Sequence, residues 1–396
     1  MSKSKLKNLS NVLAILGTII VLWIPLKSLS QNLPSSQGKT FDPSPDWRPT
    51  HAAGGGARYA SDTACTECHT EAATQPATPM AKALETPAES RILRQHPQLI
   101  FKIGPYTYSI TRRGDQSIYT VTDGTDSLSV PILYAFGQGK VGQTYVLEHK
   151  GKHYESRVSF YGRINQLDFT LGASRETPLS LETALGRVLD SASLNDCFSC
   201  HSTASVSGGQ LQLDKMTPGV TCQGCHGPGE KHIAAMKTRS QAWTRAEASP
   251  QPADNHILNP GRFDTEGVTQ FCGACHRSWI QVQMMGIQGA ENVRFQPYRI
   301  FNSKCYDHTD KRISCTACHD PHTELVKETS YYDAKCQACH QTTQKLPVSA
   351  KKVRICPVGK QNCASCHMPK VELPGAHFKF TDHQIRIARP GEAYPN

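Results

Sequence analysis

The sequence predicts mainly short α-helices and irregular loops wrapped round packed prosthetic groups, with a β-rich insert at about 100–170. Three observations lead to this fold class. The pattern Cys-x-x-Cys-His occurs seven times and uses fourteen of the sixteen cysteines. Hydrophobic residues make up only 38% of the 396 residues, so side chains alone fill a core poorly. A long stretch without the pattern alternates apolar and polar residues, as strands do.

The seven motifs carry the chemistry. Two thiols separated by two residues can add to both vinyl groups of one haem, and the adjacent imidazole then reaches the iron. The sequence therefore predicts a multihaem cytochrome c with seven covalent haem c groups. The motif residues are Cys65, Cys68 and His69; Cys197, Cys200 and His201; Cys222, Cys225 and His226; Cys272, Cys275 and His276; Cys315, Cys318 and His319; Cys336, Cys339 and His340; and Cys363, Cys366 and His367.

Zinc sites and disulfide frameworks are the alternatives for these cysteines. Zinc sites combine CxxC pairs two by two and do not need a histidine after every pair. A disulfide framework would not need the histidines at all. Both therefore explain the pattern less well than haem attachment.

The chain divides into five segments by composition. Residues 1–30, with lysines ahead of an apolar run, read as a signal peptide or an uncleaved N-terminal anchor. Residues 31–60 are a Pro- and Gly-rich tether. The first haem segment spans 61–99, the β-rich insert 100–175, and a domain with six haem motifs 176–396. Whether residues 1–30 are a signal peptide or an anchor, the rest of the protein is predicted to lie in the periplasm or on the outer side of the inner membrane.

The net charge of +10 raises the question of nucleic-acid binding. Four lysines lie in residues 1–30, which leaves 39 − 33 = +6 for the rest. Each ferric haem with two ionised propionates adds about one negative charge. We therefore expect many basic side chains to offset propionates, and we expect redox proteins rather than nucleic acids as partners.

Two hairpins are predicted in the insert and a helix after it. The strands of the first hairpin, 106–111 and 117–122, flank a turn at 113–115, and those of the second, 144–148 and 154–160, flank 149–152. The insert is expected either to dock a partner or simply to cover the first haem. From Ser180, a stripe of apolar residues up to Leu189 predicts a helix that leads into the second motif.

Ten histidines outside the motifs are candidates for the second axial position of each iron, which predicts mostly low-spin bis-histidine haems. A histidine three or six residues beyond a motif histidine stays on its side of the ring. His322 and His232 should therefore bind neighbouring haems. His383, His377, His256 and His308 are further candidates, and either Met80 or His96 is expected at the first haem. His51, His149 and His153 are expected to lie in the tether or near a hairpin turn instead.

Cys305 and Cys356 belong to no motif. Because the protein is expected to be exported, we predict a disulfide between them. The alternatives are two free thiols or a sulfur that binds metal.

Three stretches resemble the cytochrome c-554 family of multihaem cytochromes, and the resemblance covers most of residues 61–385. They are Gly219-Val-Thr-Cys222-Gln-Gly-Cys225-His226-Gly-Pro-Gly-Glu-Lys-His232, Cys318-His319-Asp320-Pro321-His322, and Cys366-His367-Met368-Pro369-Lys370 with Phe380-Thr381-Asp382-His383. The resemblance implies periplasmic electron transfer through packed haem pairs, with His232, His322 and His383 as distal ligands.

The chain departs from that family in having seven motifs rather than four, and in its β-rich insert. The related pentahaem nitrite reductases usually carry Lys in place of one motif histidine, whereas all seven motifs here end in His. We therefore expect an electron carrier without catalytic residues. The alternative is an oxidoreductase in which one open haem acts on a small nitrogen or sulfur compound.

Overall fold

A computed structural model describes residues 48–54, 56–244, 256–340, 356–389 and 391–395. The predicted signal or anchor segment, 1–30, and most of the tether, 31–47, lie outside the described residues. Within the described ranges, no helix has the length and apolar character needed to cross a membrane.

The strands are concentrated in the middle of the chain, between the first and second motifs. In chain order they are β1 Leu84–Glu85, β2 Gln98–Ile103, β3 Tyr106–Arg113, β4 Gln116–Thr122, β5 Ser127–Phe136, β6 Thr144–His149, β7 Lys152–Ser156, β8 Val158–Tyr161, β9 Gln166–Phe169, β10 Gly186–Leu189, β11 Ser202–Thr203, β12 Val206–Ser207, β13 Gln210–Leu211, β14 Thr217–Pro218, β15 Lys370–Glu372 and β16 Lys379–Thr381.

The helices are short and most of them follow the strand-rich stretch. They are α1 Asp62–Thr66, α2 Arg91–Gln95, α3 Leu181–Leu185, α4 Ser191–His201, α5 Cys222–His226, α6 Glu230–Thr244, α7 Thr265–His276, α8 Trp279–Met285, α9 Gln296–Phe301, α10 Cys315–Cys318, α11 Thr329–His340 and α12 Cys363–His367.

The predicted β-rich insert is a large antiparallel sheet. Seven strands run in the order β10-β7-β6-β5-β4-β3-β2, and β1 adds an eighth by pairing with the end of β5. The first predicted hairpin forms, with Arg113 opposite Gln116 and Gly114 at a φ of 61° in the turn. We call residues 84–189, with β1–β10 and the two helices among them, the β module.

One apolar cluster forms the core of the β module. Alternating residues of neighbouring strands face it, because successive side chains on a strand point to opposite faces. Tyr108 and Val121 are partners across β3 and β4, and both are fully buried. The side chains of α2 and α3 close the same cluster through Leu93 and Leu185. The β module therefore has an interior made of its own side chains.

The helix predicted from Ser180 to Leu189 is shorter than expected. Ser180 caps α3 in a capping box with Thr183, as its position predicts, but the helix ends at Leu185. Gly186 follows with a φ of 144°, and a Cβ there would lie 1.9 Å from the backbone oxygen of Glu155. Residues 186–189 instead pair with β7 as strand β10. Strand pairing has overridden the helical pattern, and a separate helix, α4, carries the second motif.

Residues 48–60 differ from the expected tether. Thr50 is buried, its backbone oxygen accepts a hydrogen bond from Ala204 N at 2.6 Å, and Ala52 N donates to Val206 O at 2.8 Å. Further on, Ala60 N donates to the side chain of Gln223 at 2.8 Å. This stretch is therefore docked against the second and third motifs.

Candidate haem-binding sites

Each of the seven motifs lies in or at the end of a short helix. The motif histidine is the last helical residue in α4, α5, α7, α11 and α12. A helical turn places the two motif thiols and the following imidazole on neighbouring positions of one surface. The local fold therefore suits attachment of one macrocycle per motif.

Cysteines of different motifs lie side by side, and their thiols interact directly in four pairs. At the first pair, the carboxylate of Asp62 and the two thiols lie within 4.8 Å of one another. The pairs are Cys65 with Cys222, Cys200 with Cys275, Cys272 with Cys315, and Cys336 with Cys363. Motifs 1 and 3, 2 and 4, 4 and 5, and 6 and 7 are therefore direct neighbours.

Three motif histidines each face a second histidine from another part of the chain. In two of these pairs the ring planes are nearly parallel, at 22° and 14°, and in the third they are inclined by 46°. The pairs, with the distance between ring centres, are His69 with His232 at 6.2 Å, His226 with His322 at 6.1 Å, and His319 with His383 at 6.1 Å.

This spacing provides a test of whether the residues fit haem iron. A metal–imidazole bond is about 2.0 Å long and the bonding nitrogen lies about 1.1 Å from the ring centre, so two imidazoles on opposite sides of one iron have centres about 6.2 Å apart. The three observed distances match this value. The residues therefore fit an iron between each pair of rings.

Hydrogen bonds at Nδ1 orient several of these rings. His201 donates to Ala83 O at 3.0 Å and His226 to Leu258 O at 2.8 Å. With Nδ1 carrying the proton, Nε2 is left with the lone pair that a metal requires. The other rings held in this way are His367, on Arg386 O at 2.9 Å, and His383, on Thr381 O at 2.9 Å.

The Nδ1 environment differs between two of the facing pairs. His322 Nδ1 lies 3.1 Å from the carboxylate of Asp320, whereas His319 Nδ1 is buried without a hydrogen-bond partner in the described part of the chain. A carboxylate partner makes an imidazole a more basic ligand. The two sites therefore offer iron different donor strengths.

Burial favours the neutral form of several of these histidines. It lowers the pKa of His201 and lowers that of His383 to about 4. Burial is also the main cause of the lowered pKa of His226 and His319. A metal ligand must be deprotonated at its bonding nitrogen. These imidazoles are therefore in the state that iron binding needs at neutral pH.

Met80 and His96, the predicted ligands of the first haem, make other contacts in this structure. The ring that faces His69 is that of His232, from α6. His96 lies at the end of α2 against Phe160, with 4.8 Å between ring centres. The backbone oxygen of Met80 accepts a hydrogen bond from Val220 at 2.9 Å, ahead of the third motif. The ligand role of Met80 or His96 stays a prediction.

His377 makes an ion-pair contact that the sequence did not predict, and its role as an iron ligand stays a prediction. Its Nε2 lies 2.7 Å from Asp168 Oδ2, and its ring packs on Tyr161 at 4.9 Å. The carboxylate thus occupies a nitrogen that could have bound iron. His308 is exposed and His256 lies at a positive φ of 50°, and both stay predictions as ligands.

The β module packs against the second motif, and the expectation that it covers the first haem stays a prediction. Phe136 from β5 lies 5.2 Å from the ring of Phe198, which is part of the second motif, and 5.2 Å from the ring of His201. Phe198 also packs with Leu84 and Val146 in one apolar cluster. The alternation of apolar and polar residues in β5 indicates a strand with one buried face. It does not indicate which part of the chain that face packs against, because tertiary packing decides this.

The two cysteines outside the motifs are not joined in a disulfide. Cys305 is exposed and Cys356 is half-buried, and each has a thiol side chain. The predicted disulfide is therefore not formed in this structure.

The family described as cytochrome c554 and c-prime matches residues 170–227, which include the second and third motifs. The chain is also similar to the dissimilatory sulfite reductase MccA of Wolinella succinogenes, with 26% identity over 188 aligned residues. That match covers 40% of this chain and only 23% of the relative. No solved structure matches the chain. Its CxxCH motifs and these similarities together support a multihaem c-type cytochrome, and over residues 170–227 the chain resembles the cytochrome c554 family.

Proposed function

We propose that this chain is an exported heptahaem c-type cytochrome that transfers single electrons between redox partners. The observation that carries the proposal is the spacing of 6.1–6.2 Å between the rings of three histidine pairs, which suits one iron between two imidazoles. Each bound haem would supply an iron that cycles between the ferric and ferrous states by one electron. Filled axial positions leave no site for substrate at these three irons.

The contacts between motifs support transfer along an array. Thiols of neighbouring motifs lie side by side in four pairs, and Cys318 of motif 5 lies near Cys336 of motif 6. His322 follows motif 5 in sequence but faces the histidine of motif 3. Sites that share ligand-bearing segments in this way are close, and short separations favour electron transfer. We infer a single connected array.

Location and partners follow from the cofactor. Covalent haem attachment is typical of exported proteins, and we propose the periplasm or the outer side of the inner membrane. Residues 1–30 would either be removed or hold the protein to the membrane. We propose redox proteins as donor and acceptor, and no nucleic acid, because haem propionates offset the basic side chains.

A ligand substitution tests the electron-transfer proposal. The full chain, produced with a c-type maturation system, should contain seven haems by the alkaline pyridine spectrum, and a mainly low-spin ferric resonance spectrum. Replacing His232→Ala should convert about one haem in seven to high spin, because the ring opposite His69 is lost. His149→Ala, in the β module, is the matched control and should leave the spectrum unchanged. Far fewer than seven haems, or a mainly high-spin wild type, would contradict the proposal.

A second candidate function is reduction of a small sulfur or nitrogen compound at one open haem. Two observations favour it. One is the similarity to the dissimilatory sulfite reductase MccA, and the other is the surroundings of the histidines in motifs 2 and 4. Within the described ranges, neither His201 nor His276 has a second imidazole at the spacing found for the three pairs. His201 is half-buried and His276 is exposed, so a small molecule in solvent could approach an iron at motif 4.

Steady-state assays separate the two candidates. Purified protein would be mixed with reduced methyl viologen and then with sulfite, nitrite or hydroxylamine in turn. Sustained turnover of one compound, together with a high-spin signal of about one haem, would favour the enzyme. Rapid dye oxidation that stops once all the haems are reduced, with each of the three compounds, leaves the electron carrier.

A further inference from the structure

A buried ion pair links the segment that carries His383 to a helix between the fourth and fifth motifs. Arg299 lies on α9, Asp382 directly precedes His383, and both side chains are fully buried. Arg299 Nε is 2.9 Å from Asp382 Oδ1 and its Nη2 is 3.1 Å from Oδ2. This is the two-point geometry in which a guanidinium fork matches a carboxylate.

The remaining donors of Arg299 are also used. Nη2 donates to Gln384 Oε1 at 2.5 Å and Nη1 to the backbone oxygen of Pro395 at 2.8 Å. The guanidinium also lies 4.6 Å from the centre of the Tyr394 ring. Arg299 therefore fixes both the 382–384 segment and the C-terminal residues 394–395.

Asp382 accepts a second cation on the same carboxylate. Arg386 Nη1 lies 2.6 Å from Asp382 Oδ2. The backbone oxygen of Arg386 in turn accepts the Nδ1 hydrogen of His367, the histidine of motif 7. Ser303, close to Arg299 in sequence, donates its hydroxyl to His383 O at 3.1 Å and accepts from Ile385 N at 2.8 Å. One network thus reaches the histidines of two different sites.

We propose that Arg299, Asp382 and Arg386 form a positioning network that holds His383 opposite His319 and orients His367, so that iron coordination at motifs 5 and 7 depends on the same three side chains. This inference rests on the proposed haem ligation. The network does not touch the reacting iron itself, and its members act through the two histidines.

The energetics favour a role beyond simple packing. Two desolvated charges rarely stabilise a fold better than apolar side chains of the same size would. Such a pair does impose a defined geometry, because the fork of Arg satisfies the carboxylate in one orientation only. A histidine ligand whose ring centre must lie about 6.2 Å from the ring centre of its partner needs a segment that is held in such a fixed geometry.

Four variants of the full haem-loaded chain test the network. His383→Ala gives the reference spectrum for loss of the ligand opposite His319, with about one haem in seven turned to high spin. Arg299→Lys keeps the charge but loses the fork, and Asp382→Asn keeps the shape but loses the charge. Both should reproduce part of the His383→Ala spectrum. Arg312→Gln removes an exposed ion pair with Asp310 beside motif 5 and is the matched control.

Imidazole added at millimolar concentration distinguishes positioning from general loss of structure. Positioning predicts that it restores the low-spin signal in His383→Ala and Arg299→Lys, since a free ring can replace one that is misplaced. A resonance shift at a second haem, motif 7, should appear in Arg299→Lys and Asp382→Asn but not in His383→Ala. If Asp382→Asn does not accumulate, Arg299→Lys alone carries the test.

The inference is overturned if Arg299→Lys and Asp382→Asn keep the wild-type proportion of low-spin haems while His383→Ala loses one. It is also overturned if Arg312→Gln changes the spectrum as much as Arg299→Lys does. A wild-type protein with few low-spin haems would instead contradict the proposed function.

Discussion

The β module and the motif-bearing segments are stabilised in different ways. In the β module, nineteen buried residues form one continuous cluster. In the described part that carries motifs 4 to 7, the apolar clusters hold only two to four buried residues each. The interior there contains cysteines and histidines that face one another instead. With the proposed haems bound, a fold of this second kind would depend on the bulk of the macrocycles, whereas the first kind supplies its own core.

The largest effect should come from withholding haem. Full chain produced without a maturation system should keep the β module folded and lose ordered structure around motifs 3 to 7. Hydrogen exchange measured by mass spectrometry would show slow exchange within 98–169 and fast exchange within 265–340. The haem-loaded chain is the control and should be protected in both ranges. Equal protection in the haem-free chain would remove the distinction between the two regions.

The next largest effect should come from a substitution where the β module packs against the second motif. Phe198 is 1% exposed and lies between Tyr134 and Phe136 of β5. Phe198→Ala should lower the free energy of unfolding by about 3–5 kcal/mol, because it leaves a cavity between the β module and motif 2. Denaturant unfolding followed by the Soret band measures this.

Phe301→Ala is the comparison for that experiment, since Phe301 is 38% exposed. Its cost should be clearly smaller, because less buried surface is lost. Equal costs for the two substitutions would mean that the β module does not support the second motif.

A smaller effect is expected at the pair of His226 and His322. Asp320→Asn removes the carboxylate that lies 3.1 Å from His322 Nδ1. A less basic ligand and one fewer negative charge both favour ferrous iron, and a change of about 1.4 kcal/mol would raise one reduction potential by about 60 mV. Spectroelectrochemical titration would detect this shift. Asp310→Asn, at a surface ion pair, controls for charge alone, and an identical shift there would exclude a ligand effect.

Acidification should have the smallest effect near neutral pH. Burial lowers the pKa of His383 to about 4, so the unfolded chain takes up this proton first as the pH falls. The stability from neutral His383 is thus fully present above about pH 6.5 and is lost as the pH approaches 4. The low-spin spectrum should therefore persist from pH 7 to about 5. A high-spin transition centred near pH 6.5 would contradict this.

Local chemistry was predictable from the sequence, and tertiary pairing was not. The CxxCH motifs, the strands of the insert and the cap at Ser180 all depend on residues close together in the chain. The sequence also predicted that His232 and His322 bind neighbouring haems, and in the structure each ring lies beside the histidine of another motif. Their role as iron ligands stays a prediction.

What the sequence did not predict depended on contacts between distant residues. Met80 and His96 were selected because they are near the first motif in sequence, yet the ring opposite His69 comes from α6. His377 pairs with the carboxylate of Asp168 on β9. Arg299 was missed altogether, because a lone arginine in a short helix gives no sign in the sequence that it will be buried against Asp382. The spacing of residues along the sequence does not predict contacts between residues that are so far apart in the chain.

The facing of His69 by a histidine far downstream has a consequence for biogenesis. Under the proposed pairing, a haem attached at the first motif would have only the imidazole of His69 until α6 packs beside it with His232. The first site would therefore be completed by residues that lie much later in the chain, and a chain truncated before α6 would leave its first haem without this second imidazole.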